Sequence, residues 1–327
     1  MKLLILSGRE VERCLAGAPL IEAMASAFKE VSARTAVMPV RLTIRLEQNS
    51  GLLSAMPAYL PGPQAFATKL VTAFANNPGR GLPLIMGVVV LNDAETGQPL
   101  AILDGTVITG LRTAAASALS TDLLANPNAS TLAIIGSGLQ ARTHLDAIAA
   151  IRPLREVRVN ARSLESAQRF VNSVNPAHPY AISAVTSAQD AVRGADIVVC
   201  ATTAAEPVLR HDWLKAGAHL CAIGSHSPNK RELDSETVAG CAVIAADTRE
   251  GCLAEADDVR VPIAEGRLGP ERIVELGEIL LGQAARRSSA SDITLYKSVG
   301  MAAMDAAAAR LAYHRAGMLQ AGVEVDF

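Results

Sequence analysis

The chain has 327 residues, enough for about two domains; half are hydrophobic and only 3% aromatic, so its core is built from Ala, Val, Leu and Ile. A net charge of −2 without a basic block offers nothing to nucleic acid or an anionic membrane surface, and no apolar run reaches the ~18 residues of a membrane span. The five cysteines (Cys14, Cys200, Cys221, Cys241, Cys252) are scattered, odd in number and form no C-x-x-C pair, which reads as buried thiols in a cytoplasmic protein.

In chain order, Met1–Leu6 is too short for a signal peptide. Gly17–Ala33 reads as a helix with Ile21, Met24, Ala25 and Phe28 on one stripe. Val40–Arg45 and Gly51–Met56 read as strands before a Met56-Pro57-Ala58 turn, and Ala67–Phe74 alternates like a strand. Residues 76–81, Asn-Asn-Pro-Gly-Arg-Gly, are a loop by composition. Gly87–Asn92 and Pro99–Asp104 flank an Asp93–Gly97 hairpin loop, so this part is α+β with an antiparallel sheet. An Ala-rich helix over Thr109–Leu124 closes at Asn126-Pro127.

From Ser130 strands alternate with helices. The strand candidates are Leu132–Ile135, Glu156–Asn160, Asp196–Ala201, His219–Ile223 and Ala242–Ala245. Helices are expected at Gln140–Ala150, Leu164–Asn172, Ala188–Arg193, His211–Lys215 and Ser235–Ala239. That alternation predicts a doubly wound parallel sheet. Ala302–Ala316 is a further helix, read as returning to the first domain. The fold class is therefore α/β, a Rossmann-type sheet (121–295) inserted into an α+β domain (1–120 plus 296–327).

The sharpest local signal is Leu132-Ala133-Ile134-Ile135 running into Gly136-x-Gly138-x-x-Ala141. Gly136 permits the tight turn, Gly138 leaves room for a pyrophosphate, and Ala141 lets helix and strand pack closely. The helix start at Leu139 and Gln140 turns its N–H groups toward the anion. An NAD site usually carries an acid at the end of the second strand. Here that strand ends Val159-Asn160-Ala161-Arg162-Ser163. Arg162 and Ser163 suit the 2′-phosphate of NADP, which this favours; Asn160 on the ribose of NAD stays open. Thr202 closes a later strand and is placed beside the nicotinamide ribose.

Several segments together resemble the ornithine cyclodeaminase/mu-crystallin family. They include Met56-Pro57-Ala58-Tyr59, Lys69-Leu70-Val71, Asn77-Pro78-x-Arg80-Gly81-Leu82-Pro83, Leu103-Asp104-Gly105, Leu111-Arg112-Thr113, Gly136-x-Gly138-x-Gln140, Lys230-x-Glu232-Leu233-Asp234 and Lys297-Ser298-Val299-Gly300. The resemblance implies a homodimer assembled through the first domain, with a small-molecule substrate there and the dinucleotide in the second. It gives Arg41 the substrate carboxylate, Lys69 a substrate and catalytic role, and Met56 a place beside the substrate. It puts Arg112, Thr113, Ser225, Ser298 and Gly300 at the cofactor.

True cyclodeaminases carry an aspartate where this chain has His226, in Gly224-Ser225-His226-Ser227-Pro228. Imidazole moves protons but supplies no fixed negative charge for a diammonium substrate. The departure resembles the branch that reduces cyclic imino acids. Lys69, His226 or Glu255 is then the proton donor, since an iminium accepts hydride far better than a neutral imine. Asp305 is read as structural. Ornithine cyclodeaminase, alanine dehydrogenase-like activity and an NADPH-dependent binding protein stay open as alternatives. His144, His178, His211, His219 and His314 are dispersed, so no metal is expected.

Overall fold

The computed structural model describes residues 2–174 and 178–326 and divides into two compact units: Met1–Arg112 with Met301–Phe327 (the split unit), and Thr113–Gly300 (the inserted unit). The sequence reading sets these breaks at 120 and 295.

The split unit contains β1 (Lys2–Leu6), α1 (Gly8–Leu15), α2 (Ala18–Ser32), β2 (Leu42–Leu46), β3 (Gly51–Leu60), β4 (Ala65–Phe74), β5 (Ile85–Asn92) and β6 (Pro99–Asp104). Next comes α3 (Gly105–Leu124), whose second part belongs to the inserted unit. Seven strands form one sheet in the order β15-β1-β6-β5-β4-β3-β2, with β15 defined below; all pairings are antiparallel except β1 with β6.

Alternation decides the faces. Ser54, Met56, Ala58 and Leu60 of β3, with Ala65, Ala67 and Lys69 of β4, are buried on one side. The predicted turn at Met56-Pro57-Ala58 is instead mid-strand, because Pro57 pairs with Thr68 of β4. Tyr59 exchanges both backbone hydrogen bonds with Val37, so Pro57, two residues earlier, aims its donorless nitrogen to that same side. There β2 has already ended, since its last partner is Ala55. The β1 strand, not foreseen as one, pairs with β6 and β15. The α3 helix starts four residues before its expected position, because Asp104 Oδ1 accepts the Thr106 and Val107 N–H groups at 2.9 Å each and caps it.

The inserted unit runs β7 (Thr131–Ile135), α4 (Leu139–Ala149), β8 (Glu156–Asn160), α5 (Leu164–Val174), β9 (Ala181–Ala184), α6 (Ala188–Val192), β10 (Ile197–Cys200), β11 (His219–Ala222) and α7 (Ser235–Gly240). It continues β12 (Val243–Ala246), α8 (Arg249–Glu255), α9 (Asp257–Ala264), β13 (Ile273–Glu275), α10 (Leu276–Leu280) and β14 (Thr294–Lys297). Its eight strands are all parallel, in the order β13-β12-β14-β11-β10-β7-β8-β9. This is the doubly wound sheet, reversing direction at β7. The sequence reading omitted β9, β13 and β14, and the expected helix at His211–Lys215 is a single 3-10 turn, His211–Trp213. The chain then returns to the split unit as α11 (Ala302–Leu319) and β15 (Val323–Asp326). Alanines bury most of α11, which packs on α1, α2, β3, β4 and β5. Among the described residues no helix is long and apolar enough to cross a membrane, and all five cysteines are buried.

Candidate functional site

Lys69 sits in the middle of β4, opposite Met56 on β3 and Val89 on β5, and is only 3% exposed. Its Nζ lies 2.7 Å from Asp305 Oδ2 on α11 and donates to Thr109 Oγ1 on α3 at 3.3 Å. Arg112, one turn further along α3, donates from Nε to Asp305 Oδ1 at 3.0 Å and from Nη1 to Met304 Sδ at 3.6 Å. One buried carboxylate thus bridges two buried cations. Burial pulls the Lys69 ammonium down, Asp305 pulls it up, and the charges of Arg112 and Arg41 push it down again, leaving a pKa of about 8. Burial would raise the Asp305 carboxyl, but Arg112 and Lys69 hold it below the usual carboxylate range. Arg41, half-buried just before β2, is close enough for its charge to act on Lys69.

In the inserted unit the turn after β7 is built as the sequence requires. Gly136 has φ +131°, and a Cβ there would stand 2.5 Å from Ala201 O. Gly138 caps α4 in extended conformation, and a Cβ there would meet nothing within 4 Å. That open cradle, facing the first N–H groups of α4, fits a dinucleotide pyrophosphate. Leu139 is exposed beside it, while Ala141 is fully buried between helix and sheet. A cleft of about 450 Å³ opens alongside, lined by Ser137, Gly138, Leu139, Arg142, Ser166 and Arg169 among others. Asn160 ends β8, its carbonyl accepting from Gly136 N at 2.8 Å and its amide donating to Val185 O at 3.2 Å. Arg162 is exposed in the next loop; Ser163 Oγ accepts from Ser166 N at 3.2 Å, at the start of α5.

The strand ends beyond this turn are held by buried charges. Lys297 Nζ lies 3.0 Å from Asp258 Oδ2, and both residues are completely buried. Asp258 Oδ1 accepts from the backbone N–H groups of Glu232 (2.8 Å) and Leu233 (2.9 Å). Glu232 in turn accepts from Thr202 N and Oγ1 at 2.7 and 2.8 Å, and from Gly224 N at 2.7 Å. Burial works against the Lys297 charge, yet Asp258 and Glu232 hold its ammonium above the ordinary lysine range. Burial pushes the Glu232 carboxyl up. Asp247 gathers Ser298 Oγ, Val299 N and Gly300 N at 2.9, 2.9 and 2.6 Å.

The family model of the ornithine cyclodeaminase/mu-crystallin family matches residues 1–318. The chain belongs to that family. It is 36% identical to a Delta(1)-pyrroline-2-carboxylate reductase of Bacillus cereus over 333 aligned positions, covering 99% of this chain and 100% of the relative. The solved Delta(1)-pyrroline-2-carboxylate reductase of Thermococcus litoralis, in complex with NADH and L-proline, superposes with TM-score 0.94 at 37% identity, over 98% of this chain and 100% of that one. An archaeal alanine dehydrogenase dimer with bound NAD superposes with TM-score 0.92 at 33% identity, covering both chains fully.

The expected site residues fall in both units. Lys69, Met56, Arg41 and Arg112 belong to the split unit, where Arg112, which the resemblance gives to the cofactor, joins Lys69 through Asp305. Thr113, the next residue, is buried on the inserted side of α3. Ser225 and Ser298 are buried, and their hydroxyls are engaged by Lys230 O and Asp247 respectively, which fixes loops. His226 is exposed in the loop after β11, and Glu255 is the last residue of α8. His144 and His219 are buried; burial pushes their pKa values down to about 4 and about 3, so both stay neutral and act as hydrogen-bonding struts to Ser117 Oγ (2.8 Å) and Thr294 Oγ1 (2.9 Å). Asp305, read from the sequence as structural, is the acid that bridges Lys69 and Arg112; a lone acid within an alanine run on a fully buried helix segment is the signal that marks it.

Proposed function

We infer that this chain reduces a cyclic imino acid of the 1-pyrroline-2-carboxylate or 1-piperideine-2-carboxylate type to the amino acid, at the expense of NAD(P)H. The observation that carries this is the buried lysine of β4, tuned to about 8 beside Arg112 and within reach of the charge of Arg41. The likeness to reductases of this substrate class, one of them holding NADH and L-proline, supports it.

Arg41 binds the substrate carboxylate by paired charge-assisted hydrogen bonds. Met56, opposite Lys69 on the same face, gives the ring an apolar neighbour. Lys69 Nζ carries the proton that the imine nitrogen must gain, and an amine titrating near 8 is matched to that task at neutral pH. Gly136, Gly138, Leu139 and Gln140 hold the pyrophosphate, while Asn160, Arg162 and Ser163 meet the adenosine ribose and the 2′-phosphate of NADP. When bound, the reduced nicotinamide supplies the hydride. His226 offers no permanent negative charge, which disfavours a diammonium substrate such as ornithine.

The working form is a homodimer. By register, Leu42, Ala55, Leu70 and Val88 form one row across β2–β5 on the face opposite Lys69, and Ile44, Leu53, Thr72 and Met86 form the next. Leu42, Ile44, Leu70, Met86 and Val88 are between 37% and 66% exposed, a contiguous apolar surface that marks an interface. A related enzyme is a dimer. Five buried thiols suit a reducing cytoplasm.

The test is loss of nicotinamide absorbance with NADPH and NADH, offered five- and six-membered cyclic imino acids, pyruvate with ammonia, or ornithine. Rapid cofactor oxidation only with the cyclic imino acids is expected. Ammonia release from ornithine, or binding without turnover on the whole panel, refutes the reading.

A further inference from the structure

Two buried cations of the split unit share a single carboxylate, and that imbalance calls for an explanation. Lys69 Nζ and Arg112 Nε approach different oxygens of Asp305, at 2.7 and 3.0 Å, and all three side chains are no more than 5% exposed. A buried ion pair kept only for structure is expected to be balanced, because each uncompensated buried charge costs several kcal/mol. Here the surplus charge is positive and stands on the sheet face where the imino acid is read to bind.

We propose that Asp305 is the positioning residue of this site: its two oxygens set the spacing of the Lys69 ammonium and the Arg112 guanidinium, and its charge keeps Lys69 the proton carrier until an anionic substrate completes the neutralisation. The inference deepens the imino acid reading and rests on it. The groups facing Lys69 are Asp305 on α11, Arg112 and the Thr109 hydroxyl on α3, and Arg41 before β2. Asp305 is the one anion among them. Without it, burial and two guanidinium groups all oppose the ammonium. The α11 backbone holds the carboxylate firmly, since Ala302, Ala303, Ala306, Ala307 and Ala308 around it are all buried.

The chain has six lysines, so Lys69 can be followed in the full-length protein by lysine-selective isotope labelling and NMR titration. Asp305→Asn keeps shape and removes charge. Its expected result is a fall of about one pH unit or more in the Lys69 midpoint, with the alkaline limb of kcat/KM moving the same way. Asp305→Glu restores the charge but displaces it. It is expected to return the midpoint to near 8 while raising KM about tenfold, the cost of a clamp held slightly out of place. An Asn variant that loses activity with an unmoved midpoint and limb assigns Asp305 to folding alone and overturns the proposal. Should the Asn variant fail to fold, the Glu variant decides: an unchanged KM refutes positioning. A midpoint that shifts in a protein that reduces no imino acid upholds the electrostatic role and rejects the functional reading instead.

Discussion

Each unit buries one lysine against acidic partners, and the two lysines are pushed in opposite directions. Lys297 has Asp258 and Glu232 around it, and its ammonium is held above the ordinary range. Lys69 has one carboxylate against two guanidinium charges, and its pKa falls to about 8. The sheets, the burial and the residue type are comparable; the count of acids and bases nearby differs. A lysine with surplus acids is a fixed strut, joining β14 to the start of α9 and, through Glu232, to the loops at Thr202 and Gly224. A lysine with surplus bases can release its proton near neutrality. Function here is written in the ratio of neighbours.

The sharpest way to break the comparison is to remove each lysine. Lys297→Met leaves Asp258 and Glu232 buried without their cation and is expected to destabilise the protein by about 3–5 kcal/mol in denaturant unfolding. Lys69→Ala is expected to lower kcat by about 100-fold or more in steady-state assays with a cyclic imino acid, in the range of general acid catalysis, with a far smaller loss of stability. Arg41→Gln removes the proposed carboxylate clamp and a repelling charge together. KM should rise about tenfold, as for loss of a charged hydrogen bond, and the Lys69 midpoint should move up.

Proton linkage sharpens the contrast further. For Lys69, the folded pKa lies below the unfolded value of 10.5, so between about 8 and 10.5 the unfolded chain binds more protons and this group's contribution to stability rises with pH. For Lys297 the folded value is the higher one, so its contribution is present below 10.5 and is lost above it. Activity runs differently: with a protonated Lys69 as the proposed donor, kcat/KM should decline as pH rises through about 8, and Lys297→Met should leave that midpoint in place. A limb that follows Lys297 instead would erase the distinction.

What could be read from the sequence was what is local. The β7 strand, the Gly136 turn and α4 carry their signals within one continuous stretch, Thr131–Ala149, and the Asp93–Gly97 hairpin loop is as local. The central strand β14 was invisible: it is four residues long, ends in a charged lysine, and follows the polar run Ser288-Ser289-Ala290-Ser291-Asp292. Only Asp258, far away in sequence, makes a buried Lys297 acceptable there. The same holds for Asp305, whose partners come from β4 and α3. Pro57 misled in the other direction, because a strand-breaking residue is harmless where the neighbouring strand has stopped. The electrostatic partners were hidden because pairing depends on topology, which residue order alone does not display.

The split unit is closed by α11 and β15, which follow the inserted unit in the chain, with β15 paired to β1. During synthesis, therefore, residues 113–300 are complete and free to fold while the amino-terminal sheet still lacks a helix, an edge strand and the acid that Lys69 needs. The β1 strand waits for β15, and Lys69 remains without its counter-ion until α11 has been made.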